Sequence, residues 1–356
     1  MNNIKYFKRF ILSFIFILLL VPVINFYMDP FSYFNDKQNT FEKNISKDLI
    51  NNKSVSIKSV WQDQILKYFL LQNSNFNKNI IIGSSRSYAI NSNVVKKKIM
   101  NYSLSSAGIQ EIMSFIDLSL ENKKIERITI SIDPWIFDNS YNKLKPIFFE
   151  NYTNALKKIK NKPDKMQILK NYKRKIVYIL QPYVLFRSFL DIVYQITGKQ
   201  LYLKSNILIG DNIAALDNHI INPDGSLIYP KKILLATESE ISKSIIKEMN
   251  NYQDLKFNFS KNKINTFLNY LNYLIDNQIK IEILMIPYHP LAFEIINNRS
   301  NNFFNAESIL KKELKSFKNI RIIGSFNPSK TNCKVHDFLD SHHPRLSCIK
   351  KLYAIN

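Results

Sequence analysis

The chain has 356 residues, 46% of them hydrophobic, and carries 50 lysines and arginines against 28 aspartates and glutamates, a formal charge of +22. That length suits one α/β core with an insertion, and the absence of an internal repeat excludes a repeat array. Enrichment in Asn, Lys and Ile reads as solvated helix faces; clusters such as Lys170, Lys173, Arg174 and Lys175 also suit anionic lipid or glycan, while nucleic acid is not expected outside a membrane.

From Phe10 to Met28 the sequence is almost uninterrupted apolar residues, broken mainly by Ser13, Pro22 and Asn25. About 19 residues at about 1.5 Å each can cross a bilayer. Lys5, Lys8 and Arg9 before the run and Asp29 after it place the N-terminus in the cytoplasm and the rest outside. Bulky Phe26-Tyr27-Met28-Asp29-Pro30 lacks a small-x-small cleavage site, so a retained anchor is expected over residues 1–30, followed by a linker or helical segment over 31–76.

An α/β domain is expected from residue 77 to 356. Lys78 to Ile82 suits a buried parallel strand and breaks at Gly83-Ser84-Ser85-Arg86, after which a helix is expected. A serine at a helix start would meet free N–H groups and the positive end of the helix dipole; the plainer reading makes Ser84 or Ser85 only an N-cap. Met100 to Ser105 and Ile125 to Ile132 read as further strands, closed by Ser106-Ala107-Gly108 and by Asp133-Pro134-Trp135. Gly108 suits a positive φ at a strand–helix turn.

An inserted, largely helical subdomain is expected over about 140–235, turning loop-like from Asn206 to Pro230 around the turn signal Asn222-Pro223-Asp224-Gly225. Lys261 to Asn277 is an amphipathic helix by spacing, and strands follow at Ile279 to Ile286 and Asn319 to Ile323. Strands alternating with helices imply a parallel sheet covered on both faces, with ligands beyond its carboxyl ends. Ser85, Gly108, Trp135, His289 and His343 would emerge there.

Asp340-Ser341-His342-His343-Pro344 places a carboxylate three residues before an imidazole. A serine hydroxyl needs such an imidazole to take its proton and a carboxylate to fix the ring's tautomer. Ser85, His343 and Asp340 can fill those roles, although a D-x-H geometry would select His342 instead. Cys333 and Cys348 bracket this loop. They suit a disulfide, a pair of free thiols, or, with His336 and His342 or His343, a zinc site that would compete for the histidine.

Gly83-Ser84-Ser85 with the late Asp340-x-x-His343-Pro344 resembles the SGNH (GDSL-like) hydrolase superfamily, in particular its membrane-anchored branch of D-alanyl-transfer proteins and envelope polysaccharide O-acetyltransferases. The resemblance covers most of the chain after about Asn77 in widely spaced motifs. Two positions depart from it: Ser84 stands where the family has Asp, and no Asn matches the third-block G-x-N-D. The resemblance implies a three-layer, flavodoxin-like core with a parallel sheet. It implies an acyl-Ser85 intermediate and an oxyanion hole from the Ser85 and Gly108 amides. By position, Arg86, Trp135 and His289 are secondary substrate contacts, although a lone histidine such as His289 is more often a satisfied structural residue. The resemblance implies no cofactor and no metal, an acyl donor with a glycan acceptor, and a membrane-bound acyltransferase as possible partner. A catalytically silent glycan-binding or assembly scaffold is the alternative.

Overall fold

In the computed structural model, the described residues are 2–30, 33–34, 41–57, 62–73, 78–121, 125–142, 144–197, 205–208, 217–251, 257–299 and 302–355. In chain order they form α1 (Asn2–Met28), α2 (Phe41–Ile50), β1 (Ser54–Ile57), α3 (Asp63–Asn73), β2 (Asn79–Ile82), α4 (Ser92–Val95), β3 (Met100–Asn101), α5 (Ile109–Glu121) and β4 (Arg127–Ile132). Next come α6 (Phe149–Lys158), α7 (Lys165–Leu180), α8 (Pro182–Thr197), β5 (Ser205–Leu208), β6 (His219–Ile221), β7 (Leu227–Ile228), α9 (Lys231–Leu234) and α10 (Glu238–Asn251). The chain closes with α11 (Lys261–Asp276), β8 (Lys280–Met285), α12 (Pro290–Arg299), α13 (Asn305–Leu314), β9 (Ile320–Gly324) and α14 (Leu346–Ile355).

The five expected strands form one parallel sheet in the order β3-β2-β4-β8-β9. Its register follows from strand period: Ile80 and Ile82 face the larger apolar cluster with Ile128, Ile130, Ile281 and Ile283, while Ile81 and Leu284 face a second cluster with Val94, Ile349 and Leu352. Both faces are therefore covered, which is what permits consecutive isoleucines. On the larger side α11 presents Ile264, Phe267, Leu271 and Leu274, all buried, and Ser260 caps its N-terminus by accepting the Lys263 N–H.

Three expectations change or are narrowed. The turn after β2 is one 3₁₀ turn, Ser85–Ser87, and α4 is only four residues long because Asn91 starts it and Lys96 ends it in the left-handed region. The expected long helix therefore does not begin at Ser85. The segment expected as linker or helix takes its helical alternative, since α2 and α3 fall within it and Ile45, Leu49, Ile65, Leu66 and Leu70 belong to the larger core cluster. The stretch Asn206 to Pro230 is partly strand, since β1 pairs antiparallel with β5 and β6, and β7 completes a second sheet in the order β5-β1-β6-β7. The 222–225 turn joins β6 to β7, with Gly225 at φ +80°.

Among the described residues one helix is long and apolar enough to cross a membrane, Ile4–Met28 within α1, with mean hydropathy 2.5 and 6% of its apolar window buried against the rest of the chain. A soluble core helix would be covered on at least one face.

Candidate active site

Gly83 ends β2 because no side chain fits there: a Cβ would lie 2.5 Å from Ser131 Cβ on the neighbouring β4. The chain then turns, and Ser84 Oγ accepts the Arg86 N–H as an N-cap. Beneath the turn, buried Asn101 of β3 donates through Nδ2 to the carbonyls of Ser87, Tyr88 and Ile90. Ser87 Oγ donates to the Ser84 carbonyl. These bonds fix Ser85 on a rigid turn at the carboxyl end of the sheet.

The loop after β9 meets it. His343 Nε2 lies 3.0 Å from Ser85 Oγ, and His343 Nδ1 lies 2.7 Å from Asp340 Oδ2. With Asp340 accepting from Nδ1–H, the Nε2 lone pair faces the serine hydroxyl. Asp340 Oδ1 also accepts the backbone N–H groups of His342 and His343, at 2.9 and 2.7 Å. Burial works to raise the Asp340 pKa, but the hydrogen bonds and the His343 charge outweigh it and hold the carboxyl well below the ordinary range. The imidazole beside Ser85 is thus that of His343. His342 turns to Ser341, 2.6 Å from Nδ1, whose hydroxyl donates to Glu248, and burial pushes the His342 pKa down to about 3.

Arg86 and His289 are not placed as substrate contacts. Arg86 is 1% exposed; it pairs with Asp133 at 2.5 Å and donates to the carbonyls of His342, Ile286 and Pro287. Its guanidinium also lies 4.0 Å from the Tyr288 ring centroid. One side chain thereby ties the Ser85 turn to the ends of β4 and β8 and to the histidine loop. His289 is also buried: Nδ1 accepts the Leu291 N–H, the ring packs on Phe338, and burial brings its pKa down to about 4. It is a neutral core histidine.

Gly108 is likewise occupied elsewhere. It caps α5, and its N–H points to Glu111 Oε2 at 3.4 Å. Its φ is not positive. The left-handed residue of this loop is Ser106 (φ 48°), whose carbonyl accepts from Tyr141 and whose N–H has no partner among the described residues. The expectation missed Ser106 because serine rarely takes that conformation.

Ser85 lies between two cavities. One, of about 400 Å³, is lined by Trp135, Tyr141, Met249, Phe257, Tyr288, Ile296 and Phe303, with Ser85, Ser106, Glu248, Ser341 and His342 as its polar edge. Trp135 is thus the one secondary candidate that reaches open space. The other, of about 310 Å³, is lined by Asp63, Ser85, Tyr88, Ser105, His219, Leu227, Tyr229 and His343. Asp63, Glu248, His219 and Tyr229 carried no signal because the segments supplying them lie outside the motif blocks.

Cys333 and Cys348 form a disulfide, so the thiolates a zinc site would use are consumed, and His336 sits on the surface. Among the described residues the group with metal-ligand chemistry is Asp340, His342 and His343, with donor atoms within 4.8 Å. Two of those three are engaged in the relay to Ser85.

No protein-family model and no curated protein matches the chain. Among solved structures, a protein from Streptococcus pneumonia provisionally described as a platelet activating factor aligns at 9% identity over 82% of this chain and 87% of its own, with a TM-score of 0.38. A likeness at that level carries no argument about chemistry.

Proposed function

We propose that the chain is a membrane-anchored, extracytoplasmic serine esterase or O-acyltransferase of the SGNH type, acting on envelope or extracellular glycan through an acyl-Ser85 intermediate. The observation that carries this reading is the relay Ser85 Oγ, His343 Nε2, His343 Nδ1, Asp340, with both hydrogen bonds at 2.7–3.0 Å. Ser85 Oγ attacks the donor's carbonyl carbon as its proton passes to His343 Nε2. Asp340 steadies the imidazolium, which then protonates the leaving alcohol. In the second half His343 takes the proton of the acceptor hydroxyl, or of water, and returns it to Ser85.

The oxyanion hole is assigned to the backbone N–H groups of Ser85 and Ser106, both on the cavity wall. The aromatic cavity suits the acyl chain. The cavity with Asp63, His219 and Tyr229 suits a hydroxyl-rich acceptor, which favours transfer over simple hydrolysis. The anchor is supported by Asn25 and Asp29 at the end of α1, both buried and both bonded to α7. The silent-scaffold reading has one observation in its favour: among the described residues, no asparagine stands on either cavity wall as a third oxyanion donor.

The test is labelling with a fluorophosphonate and peptide mapping. The label is expected on Ser85 and absent from folded Ser85→Ala and His343→Ala. A label on Ser84, or none where a serine esterase of known activity reacts, overturns the reading.

A further inference from the structure

The hairpin of α7 and α8 wears its apolar side outward. Leu169, Tyr172, Ile176 and Leu180 on α7 and Phe186 and Phe189 on α8 are between 47% and 62% exposed. Their three- and four-residue spacing makes one stripe on each helix. Inward, the same helices bury Tyr178 and Val184 together with polar Asn171, Arg187 and Ser188, so most of their large apolar side chains are left outside. An exposed apolar patch of this kind marks an interaction surface.

What covers it follows from where it is attached. Asn25 Nδ2 donates to the carbonyls of Ile179 and Gln181 at the corner of the hairpin, at 2.8 and 3.2 Å, and Tyr178 OH donates to Asp29 Oδ1 at 2.9 Å. Asn25 is three residues from the end of α1, about 5 Å along a helix axis. If α1 spans the membrane, the corner sits at the level where the span leaves it. The charge agrees: α7 carries Lys165, Lys170, Lys173, Arg174 and Lys175 and no acidic residue. Lysines beside an apolar stripe are what an interfacial helix uses against anionic headgroups.

We propose that the α7–α8 hairpin lies in the outer interface of the membrane crossed by α1, its apolar stripe among the acyl chains and its lysines at anionic lipid phosphates. This rests on the reading of α1 as a retained anchor with the domain outside. It gives the domain two attachments in place of one, so that the site is held at a fixed height and orientation.

Full-length protein in nanodiscs of phosphatidylglycerol and phosphatidylcholine tests it. The native cysteines are tied in the disulfide, so single variants Leu169→Cys, Ile176→Cys and Phe189→Cys can carry an environment-sensitive fluorophore. Phe16→Cys reports the span and Lys312→Cys the solvent. Quenching by a shallow doxyl lipid is expected to be at least threefold greater at the three hairpin positions than at Lys312→Cys. It is expected to fall when phosphatidylcholine is the only lipid. Hairpin positions quenched no more than Lys312→Cys, with Phe16→Cys strongly quenched, overturn the proposal and leave the anchor standing. Positions shielded from both lipid quencher and aqueous iodide mean that a second copy of the chain covers the face, which also overturns it. An unquenched Phe16→Cys removes the anchor and the proposal together.

Discussion

Arg86 donates to one carboxylate and three carbonyls from a buried position. Lysine keeps the charge but cannot reach all four acceptors. Arg86→Lys is therefore expected to cost roughly 2–3 kcal/mol in urea unfolding, and Arg86→Ala about 3–5 kcal/mol because Asp133 would be left as an unpaired buried charge. Unchanged midpoints would show that the guanidinium does not hold the turn. The sequence suggested a substrate contact for Arg86 because it shows only that Arg86 follows Ser85; the burying partner, Asp133, is 47 residues further along. Glu111 offers a second test. Burial pushes its pKa up to about 7, with Lys145 and the Gly108 N–H working against the rise. A carboxyl with a raised folded-state pKa contributes stability that is present below its unfolded pKa and is lost as pH rises through the folded value. The wild type should then lose up to roughly 3 kcal/mol relative to Glu111→Gln between about pH 4.5 and pH 7, read as the gap between the two thermal melts. A gap that does not vary with pH would contradict the assignment.

Among the elements, β2, β4, β8 and β9 were legible because isoleucine-rich runs bounded by turn residues mark them, and β3 because Met100, Tyr102 and Leu104 alternate with polar residues. β1, β5, β6 and β7 were not, since their two to four residues are set in polar or turn-forming sequence. The expected helix after Ser85 failed for a local reason: Asn91 and Lys96 confine α4 to four residues. What positions Ser85 is instead the contact of Gly83 with β4. Gly83→Ala would force its methyl onto Ser131, so the turn must shift, and phosphonate labelling of Ser85 is expected to slow more than tenfold even where the protein remains folded by circular dichroism. Labelling at the wild-type rate would show that the turn can move without harm. The disulfide was one of three open readings. It joins the histidine loop to α14 inside the smaller cluster, where both sulfurs are buried.

For the whole molecule, two buried clusters cover the two faces of one sheet, while most of α1 and the outward stripe of α7 and α8 stay uncovered. On the proposed anchor, the basic flank Lys5, Lys8 and Arg9 would hold the N-terminus inside. A C-terminal alkaline phosphatase fusion is expected to be active and a cytoplasmic reporter dark; the opposite pattern would put Ser85 on the wrong side for envelope glycan. The division of labour between core and insertion was visible in outline only. Composition showed where helices and lysines accumulate, but the contributions of Asp63, His219 and Tyr229 to the site depend on β1 pairing with strands more than 140 residues away.

The placement of Ser85 on the wall of two cavities has a kinetic consequence. On the proposed chemistry the acyl chain stays in the aromatic cavity throughout, while the donor's departing alcohol and the incoming acceptor must use the same polar cavity in turn. An acceptor that occupies that space before the serine is acylated blocks the first half-reaction. Turnover plotted against acceptor concentration should consequently climb, pass through a maximum and decline, with the maximum moving to higher acceptor as donor is raised. A pure hydrolase, whose second substrate is solvent, has no such maximum.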